Sequence, residues 1–271
     1  MSFFNFDSIK NMERLLLKKQ MMLKNCQETK TVIFGGSSVL HGFNTEFLTE
    51  AFRQPTYNLG VNVGLGFRYA MDYFEPHLNP GDHVILPLEF NQYTNPPYYV
   101  FGFAIDTFLR QRIWMTRKNY HQKGKLLLIS LKHAKTSATA EKMKRRQAAE
   151  LAESGCYLGL SGQIRNPEAL KQIPFPREFQ ETLTAVEIKN FRQRLMFQGI
   201  KTTLLPPVFF ANQTNEVYLD RLYHALNMPY DTNLFRLKKE EVYDSVYHAN
   251  ALGQDRVTNA LLEILEIRRG R

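Results

Sequence analysis

Two stretches of the chain carry residues whose types and spacing suit nucleophilic chemistry. In TVIFGGSSVLHGFN, residues 31–44, an apolar run ends in two glycines followed by Ser37 and Ser38. A serine just after a strand, heading a helix, presents its hydroxyl where backbone N–H groups can meet a developing oxyanion. An unperturbed hydroxyl does not ionise near neutral pH, so it needs a histidine base held by an acid. Of the seven histidines, His77, His83, His121, His133 and His224 lie at turns or in helical or basic surroundings and read as structural. His41 follows Ser37 by one helical turn, a spacing that points its ring elsewhere. His248, in VYDSVYHANALGQ, has Asp244 four residues ahead, so a single loop can supply both the base and the carboxylate that orients it.

The elements that must position these groups can be read from periodicity. Residues 7–24 open on Asp7-Ser8, an N-cap pair, and set Ile9, Met12 and Leu16 at helical spacing. This predicts a basic amphipathic N-terminal helix, residues 1–28, packed on the body of the protein, with contact to a membrane surface as the alternative. The chain then alternates. TVIFG, PTYNLGV and HVILPLEF read as strands, separated by helices over about 45–53 and in GLGFRYAMDYFEPHL. Helices over about 180–198, in EVYLDRLYHALNM and over about 251–267 flank the strand KTTLLPPVFF and a short strand in TNLFRL. Such alternation predicts an α/β fold, a three-layer α/β/α sandwich with a mainly parallel sheet. Residues 29–271 form this domain, and about 101–179 break the pattern as a helical, basic insertion or lid. Ligands in such sheets collect outside the carboxyl ends of the strands. Those ends carry Ser37 and Ser38, then Asn58-Leu59-Gly60, then LPLEFNQY with Glu89 and Asn91.

Composition narrows the class. The apolar fraction of 44%, with 20 Phe and 13 Tyr, argues for a globular chain rather than a disordered one. No apolar run nears the ~18 residues of a membrane span, and the N-terminus lacks the apolar core of a secretory signal. As it stands the chain is expected in the cytoplasm; a periplasmic or envelope location would follow if an export or membrane segment had been removed. Cys26 and Cys156 form neither a disulfide framework nor a zinc site. The net charge of +9 is concentrated in TRKNYHQKGK and KTSATAEKMKRRQ. It suits a solvated face, an anionic polysaccharide or a membrane surface; nucleic acid is the weaker choice, since no recognisable module accompanies it.

Taken in order, these segments resemble the SGNH hydrolase superfamily, the GDSL-like esterases and O-acetyltransferases, in the branch linked to bacterial surface polysaccharides. VIFGGSSVLHGFN is similar to the block in which Gly-x-Ser is followed five residues later by glycine, a register that favours Ser37 and leaves Ser38 as the alternative. YNLGVNVGLG is similar to the second block, which implies an oxyanion-hole N–H at Gly60 or Gly64. YDSVYHANALGQ looks like the Asp-x-x-Tyr-His-x-Asn-x-x-Gly form of the last block, carrying Asp244 and His248. The third block departs from the pattern: where the family has the Asn that completes the oxyanion hole, this chain reads Pro87-Leu88-Glu89-Phe90-Asn91. Glu89 would repel an oxyanion if ionised, and could instead bind a sugar hydroxyl or hold the loop. Asn91 lies two positions late.

The resemblance implies a Ser37–His248–Asp244 triad that transfers an acyl group, with no metal or organic cofactor. The substrate it implies is an O-acetylated carbohydrate, and both esterase and acetyltransferase activity are open. The aromatic segment FNQYTNPPYYVFGF suits sugar rings or acyl chains, or a hydrophobic lid. A catalytically inactive polysaccharide-binding or assembly protein is the alternative, and a basic nucleic-acid or membrane-surface protein a third reading.

Overall fold

The structure is a computed structural model that describes residues 7–110, 128, 150–228 and 231–269. Both basic stretches, TRKNYHQKGK and KTSATAEKMKRRQ, fall in 111–149 and so lie outside the described residues, as does the middle of the expected helical insertion. The strands are β1 (Thr31–Gly35), β2 (Thr56–Gly60), β3 (His83–Pro87), the two-residue β4 (Glu150–Leu151) and β5 (Tyr157–Leu158), and β6 (Lys201–Leu205). Four of them form one parallel sheet in the order β2-β1-β3-β6, and β4 and β5 pair as a small antiparallel ribbon. The strand expected in TNLFRL contributes one parallel bridge, Phe209 to Arg236, at the margin of β6.

The helices are α1 (Asp7–Asn25), α2 (Ser37–Gly42), α3 (Thr45–Phe52), α4 (Phe67–Phe74), α5 (Phe90–Thr94), α6 (Val100–Ala104), α7 (Leu183–Phe197), α8 (Glu216–Ala225) and α9 (Ala251–Arg269). Parallel connections cross right-handed. Leaving β1 leftward to β2 and returning rightward to β3 therefore places α2 and α4 on opposite faces. The packing agrees: α4 touches α1 and α7, whereas α2 touches α9. With both faces covered, every residue of β1 is buried, which is why TVIFG is an unbroken apolar run rather than an alternating one.

The chain reverses direction about β1, so the carboxyl ends of β1 and β3 open into a crevice at the switch point. α2 lies close over β2 there: a Cβ at Gly60 would come within 2.3 Å of the Leu40 backbone nitrogen. The aromatic segment after β3 is packed onto the body instead of facing open space. Phe90 and Tyr93 are buried, Tyr98 donates to Asp72, and the Phe101 ring fills the space beside Gly64.

The expected amphipathic helix α1 packs on the domain through Ile9, Leu16 and Leu23. It also inserts a lysine. Lys19 is fully buried, and its ammonium donates to the backbone oxygens of Asn58 (2.6 Å) and Gly155 (2.9 Å). Burial lowers its pKa from 10.5 to about 7, opposed by nearby Cys156 and reinforced by Lys18. Between these values the unfolded chain binds more protons than the folded one, so stability rises with pH across that window and is flat below it. The slope approaches about 1.4 kcal/mol per pH unit. Urea midpoints measured from about pH 7 to pH 10 should climb in the wild type; the Lys19 contribution to that climb should be missing in Lys19→Met. An identical slope in the two proteins would contradict this.

Candidate functional site

The first strand delivers Ser37 to the N-terminus of α2. Gly36 precedes the helix in an extended conformation, and Val39 and Leu40 return their N–H groups to its carbonyl. Of the two serines, Ser38 is fully buried, while Ser37 remains partly accessible. The structure thus presents the hydroxyl of Ser37 and not that of Ser38.

The last loop builds the other half. Tyr243 donates its N–H to the His248 carbonyl, His248 donates its own to the Ser245 carbonyl, and Val242 bridges Ala249, so residues 242–249 form a tight reversal. Inside it Asp244 Oδ1 lies 2.5 Å from His248 Nδ1, with both side chains more than nine-tenths buried. This bond fixes the ring and leaves Nε2 as the nitrogen able to take a proton. Asn250 secures the reversal by donating to the Gly162 and Glu240 carbonyls and accepting the Gly253 N–H at the start of α9. One turn on, Gln254 donates to the carbonyls of His41 and Tyr157 and so ties α9 to α2.

His41 belongs to the site, contrary to the expectation that its ring points elsewhere. Its Nδ1 lies 2.9 Å from the Ser37 carbonyl oxygen, and its ring stacks on that of His248 with centroids 3.9 Å apart and planes 12° apart. Tyr157 and Tyr243 flank the pair. The ring instead meets a residue more than two hundred positions away. No local pattern carries that information.

Glu89 enters from the end of β3 and caps α5 in a capping box with Gln92. Its Oε1 accepts the Ser38 N–H at 2.8 Å and the Ser37 hydroxyl at 3.3 Å. The absent side chain of Gly36 makes this approach possible, since a Cβ there would lie 2.1 Å from the same oxygen. Glu89 is fully buried, and burial raises its pKa above the usual carboxylate value; the Ser38 N–H, the nearby His248 and the two serine hydroxyls act in the opposite direction. Tyr247 faces it from the histidine loop, its phenol pushed well above the ordinary value by burial and then by the Glu89 charge. Asn91 sits in the first turn of α5 with its amide oxygen buried and without a partner, and it does not join the Ser37 cluster through any hydrogen bond.

The expected oxyanion donors are otherwise engaged. The Gly60 N–H is given to Asn58 Oδ1 (2.9 Å) and the Gly64 N–H to Asn62 Oδ1 (2.8 Å), in each case an asparagine two residues earlier. Asn58 also donates its amide to the Val39 and Phe43 carbonyls, pinning α2 to β2. The Ser37 N–H is the donor at this end of α2 that has no acceptor among the described residues. Nor does Ser37 Oγ bond to His248; its acceptor is Glu89.

Ser37, His248 and Asp244 are therefore gathered at one strand end together with His41, Glu89 and Tyr247, which complete the polar shell. Both cysteines are free thiols, and among the described residues no group of three or more His, Cys, Asp or Glu side chains could hold a metal ion. Nor is any helix among them long and apolar enough to cross a membrane. Compared with protein-family models, curated proteins and solved structures, the chain shows no match.

Proposed function

We propose that the protein is a serine acyl-transfer enzyme of the SGNH type, acting as an esterase or O-acetyltransferase on an O-acetylated carbohydrate. The observation that carries this reading is the buried Asp244–His248 pair, held against the helix that begins at Ser37 through the His41–His248 stack. Such a pair has the geometry of a base and its orienting acid. Turning Ser37 about χ1, from Glu89 toward His248, aligns the hydroxyl for proton transfer. His248 Nε2 then takes the proton as Oγ attacks the acyl carbonyl, and the Ser37 N–H receives the oxyanion. Collapse expels the sugar alkoxide, which regains the proton from His248. Water or a second sugar hydroxyl completes the cycle in the reverse sense. The carbohydrate follows from the family resemblance in the blocks around Ser37 and His248, and a surface or exported polysaccharide is the class it suggests.

A second reading is favoured by one observation, the Ser37 hydroxyl bonded to Glu89 while Gly60 and Gly64 keep their N–H groups occupied. A site in that state binds a carbohydrate without cleaving it. Labelling with a fluorophosphonate, followed by peptide mapping, separates the two. The acyl-transfer reading expects an adduct on Ser37 that disappears in Ser37→Ala and in His248→Ala. Folded wild-type protein that carries no adduct supports the binding reading instead, and an adduct on Ser38 reassigns the nucleophile.

A further inference from the structure

The role assigned here to Glu89 rests on the acyl-transfer reading, in which the surroundings of Ser37 pose a charge problem. An oxyanion formed on an acyl group bound to Ser37 Oγ must lie within reach of that atom. The Ser37 N–H is a backbone donor left for it, whereas Ser38, Gly60 and Gly64 have given theirs away. The next polar group is the Glu89 carboxyl, already in contact with the Ser37 hydroxyl and the Ser38 N–H. Gly36 puts no side chain between them. An ionised carboxylate beside a forming oxyanion, in a water-poor site, opposes the reaction. A neutral carboxylic acid at the same place donates a hydrogen bond to it.

We propose that Glu89 is a catalytic residue that works as the neutral acid, its carboxyl O–H supplying a hydrogen bond to the oxyanion on Ser37. The proton is shared in this bond and stays on Glu89. The Oγ–acyl bond forms as the carbonyl electron pair moves to oxygen; the Ser37 proton travels through His248 to the leaving alkoxide, so each turnover returns Glu89 unchanged.

The titratable groups around Glu89 are consistent with this state. From α2 it meets the hydroxyls of Ser37 and Ser38, and from the 242–249 reversal it faces Tyr247 and His248, the latter bonded to Asp244 and stacked on His41. Burial is the largest influence and favours the protonated form; the Ser38 N–H, then His248 and the serine hydroxyls, work against it without outweighing it. A neutral Glu89 also avoids the cost of holding a carboxylate charge in a buried site.

The test is the pH profile of 4-nitrophenyl acetate hydrolysis by wild type, Glu89→Gln and Glu89→Ala, alongside infrared difference spectra of wild type minus Glu89→Gln. Glutamine keeps a donor and cannot ionise. The expected result is that Glu89→Gln retains kcat/KM within about tenfold at neutral pH and loses the alkaline decline of the wild type, whereas Glu89→Ala falls by about 10²–10³. The difference spectrum should show a protonated carboxylic-acid carbonyl band at about pH 7. A Glu89→Gln enzyme as slow as Glu89→Ala, or one that keeps the alkaline decline, would overturn the proposal. A carboxylate band at neutral pH would overturn it as well. Absence of any Ser37 adduct in the wild type is the separate failure of the acyl-transfer reading. The infrared band tells the two failures apart, because it reports the Glu89 proton whether or not the protein turns over.

Discussion

Replacing His248 by glutamine should lower ester turnover by roughly 10³–10⁴-fold while leaving the fold intact. The magnitude follows from its position: His248 pairs with a carboxylate, Asp244, at 2.5 Å, in a reversal held by three backbone contacts and anchored by Asn250. Without the imidazole, the Ser37 proton has no acceptor of suitable basicity on that side. Asp244→Asn should lose a comparable factor, because an amide favours the tautomer that buries the basic lone pair and exposes N–H toward Ser37. The double variant should be little worse than either single one, since residues that act as a unit do not add. Steady-state kinetics on 4-nitrophenyl acetate, with circular dichroism as the folding control, provide the measurement. Folded variants whose rates match the wild type would remove His248 and Asp244 from the chemistry.

The second large effect concerns stability, at the opposite end of the sheet. Lys30 and Asp82 precede β1 and β3, and both side chains are fully buried with Lys30 Nζ 2.8 Å from Asp82 Oδ2. The carboxylate does more than neutralise the lysine. It accepts the backbone N–H of Lys30 (3.0 Å) and of Asn79 (2.8 Å), so it closes the turn before β3 and sets the two strands side by side. Removing one member strands a buried charge. Asp82→Ala should therefore cost about 3–5 kcal/mol in urea or thermal unfolding. Replacing both ends with apolar residues of similar volume should cost much less, because the desolvation penalty of the pair disappears with its attraction. A double-mutant cycle with Lys30→Met measures the coupling. An Asp82→Ala protein within about 1 kcal/mol of the wild type would show that the buried pair is not a major determinant of the fold.

How much of the fold and the site is legible in the sequence depends on whether the information is local. The strands are legible. TVIFG, PTYNLGV and HVILPLEF are short, largely apolar runs bounded by Gly, Pro and polar turns, as burial on both faces of a parallel sheet requires, while of KTTLLPPVFF only Lys201–Leu205 forms a strand, its first two residues not buried. The helices between them follow from 3.6-residue spacing, and their order then dictates a doubly covered sheet with an open end at Ser37. The Asp244–His248 pair is legible for the same reason, since four residues suffice to bring carboxylate and ring together within one loop. The strand in TNLFRL is not. It contributes one bridge at the sheet margin, and edge pairing depends on the neighbouring loop more than on the residues themselves.

Side-chain encounters between distant segments were decided by the tertiary structure alone. The ring of His41 finds His248 because Gln254 ties α9 to the end of α2. Gly60 and Gly64 stand where small residues at a strand end are expected, yet their N–H groups are taken by the side chains of Asn58 and Asn62. Lys19 looks like one more solvent-facing cation of a basic helix, but it reaches two buried carbonyls contributed by β2 and by the loop at residue 155. Glu89 reads as a charge in the wrong place for an oxyanion, and only its burial against Gly36, Ser37 and Ser38 gives it a role. By itself the sequence determined the residue types, the periodicities and the pairs a few positions apart. The fold decided which polar groups meet across the chain and how much water they keep, and burial is the larger influence on the carboxyl of Glu89 and the phenol of Tyr247 beside Ser37.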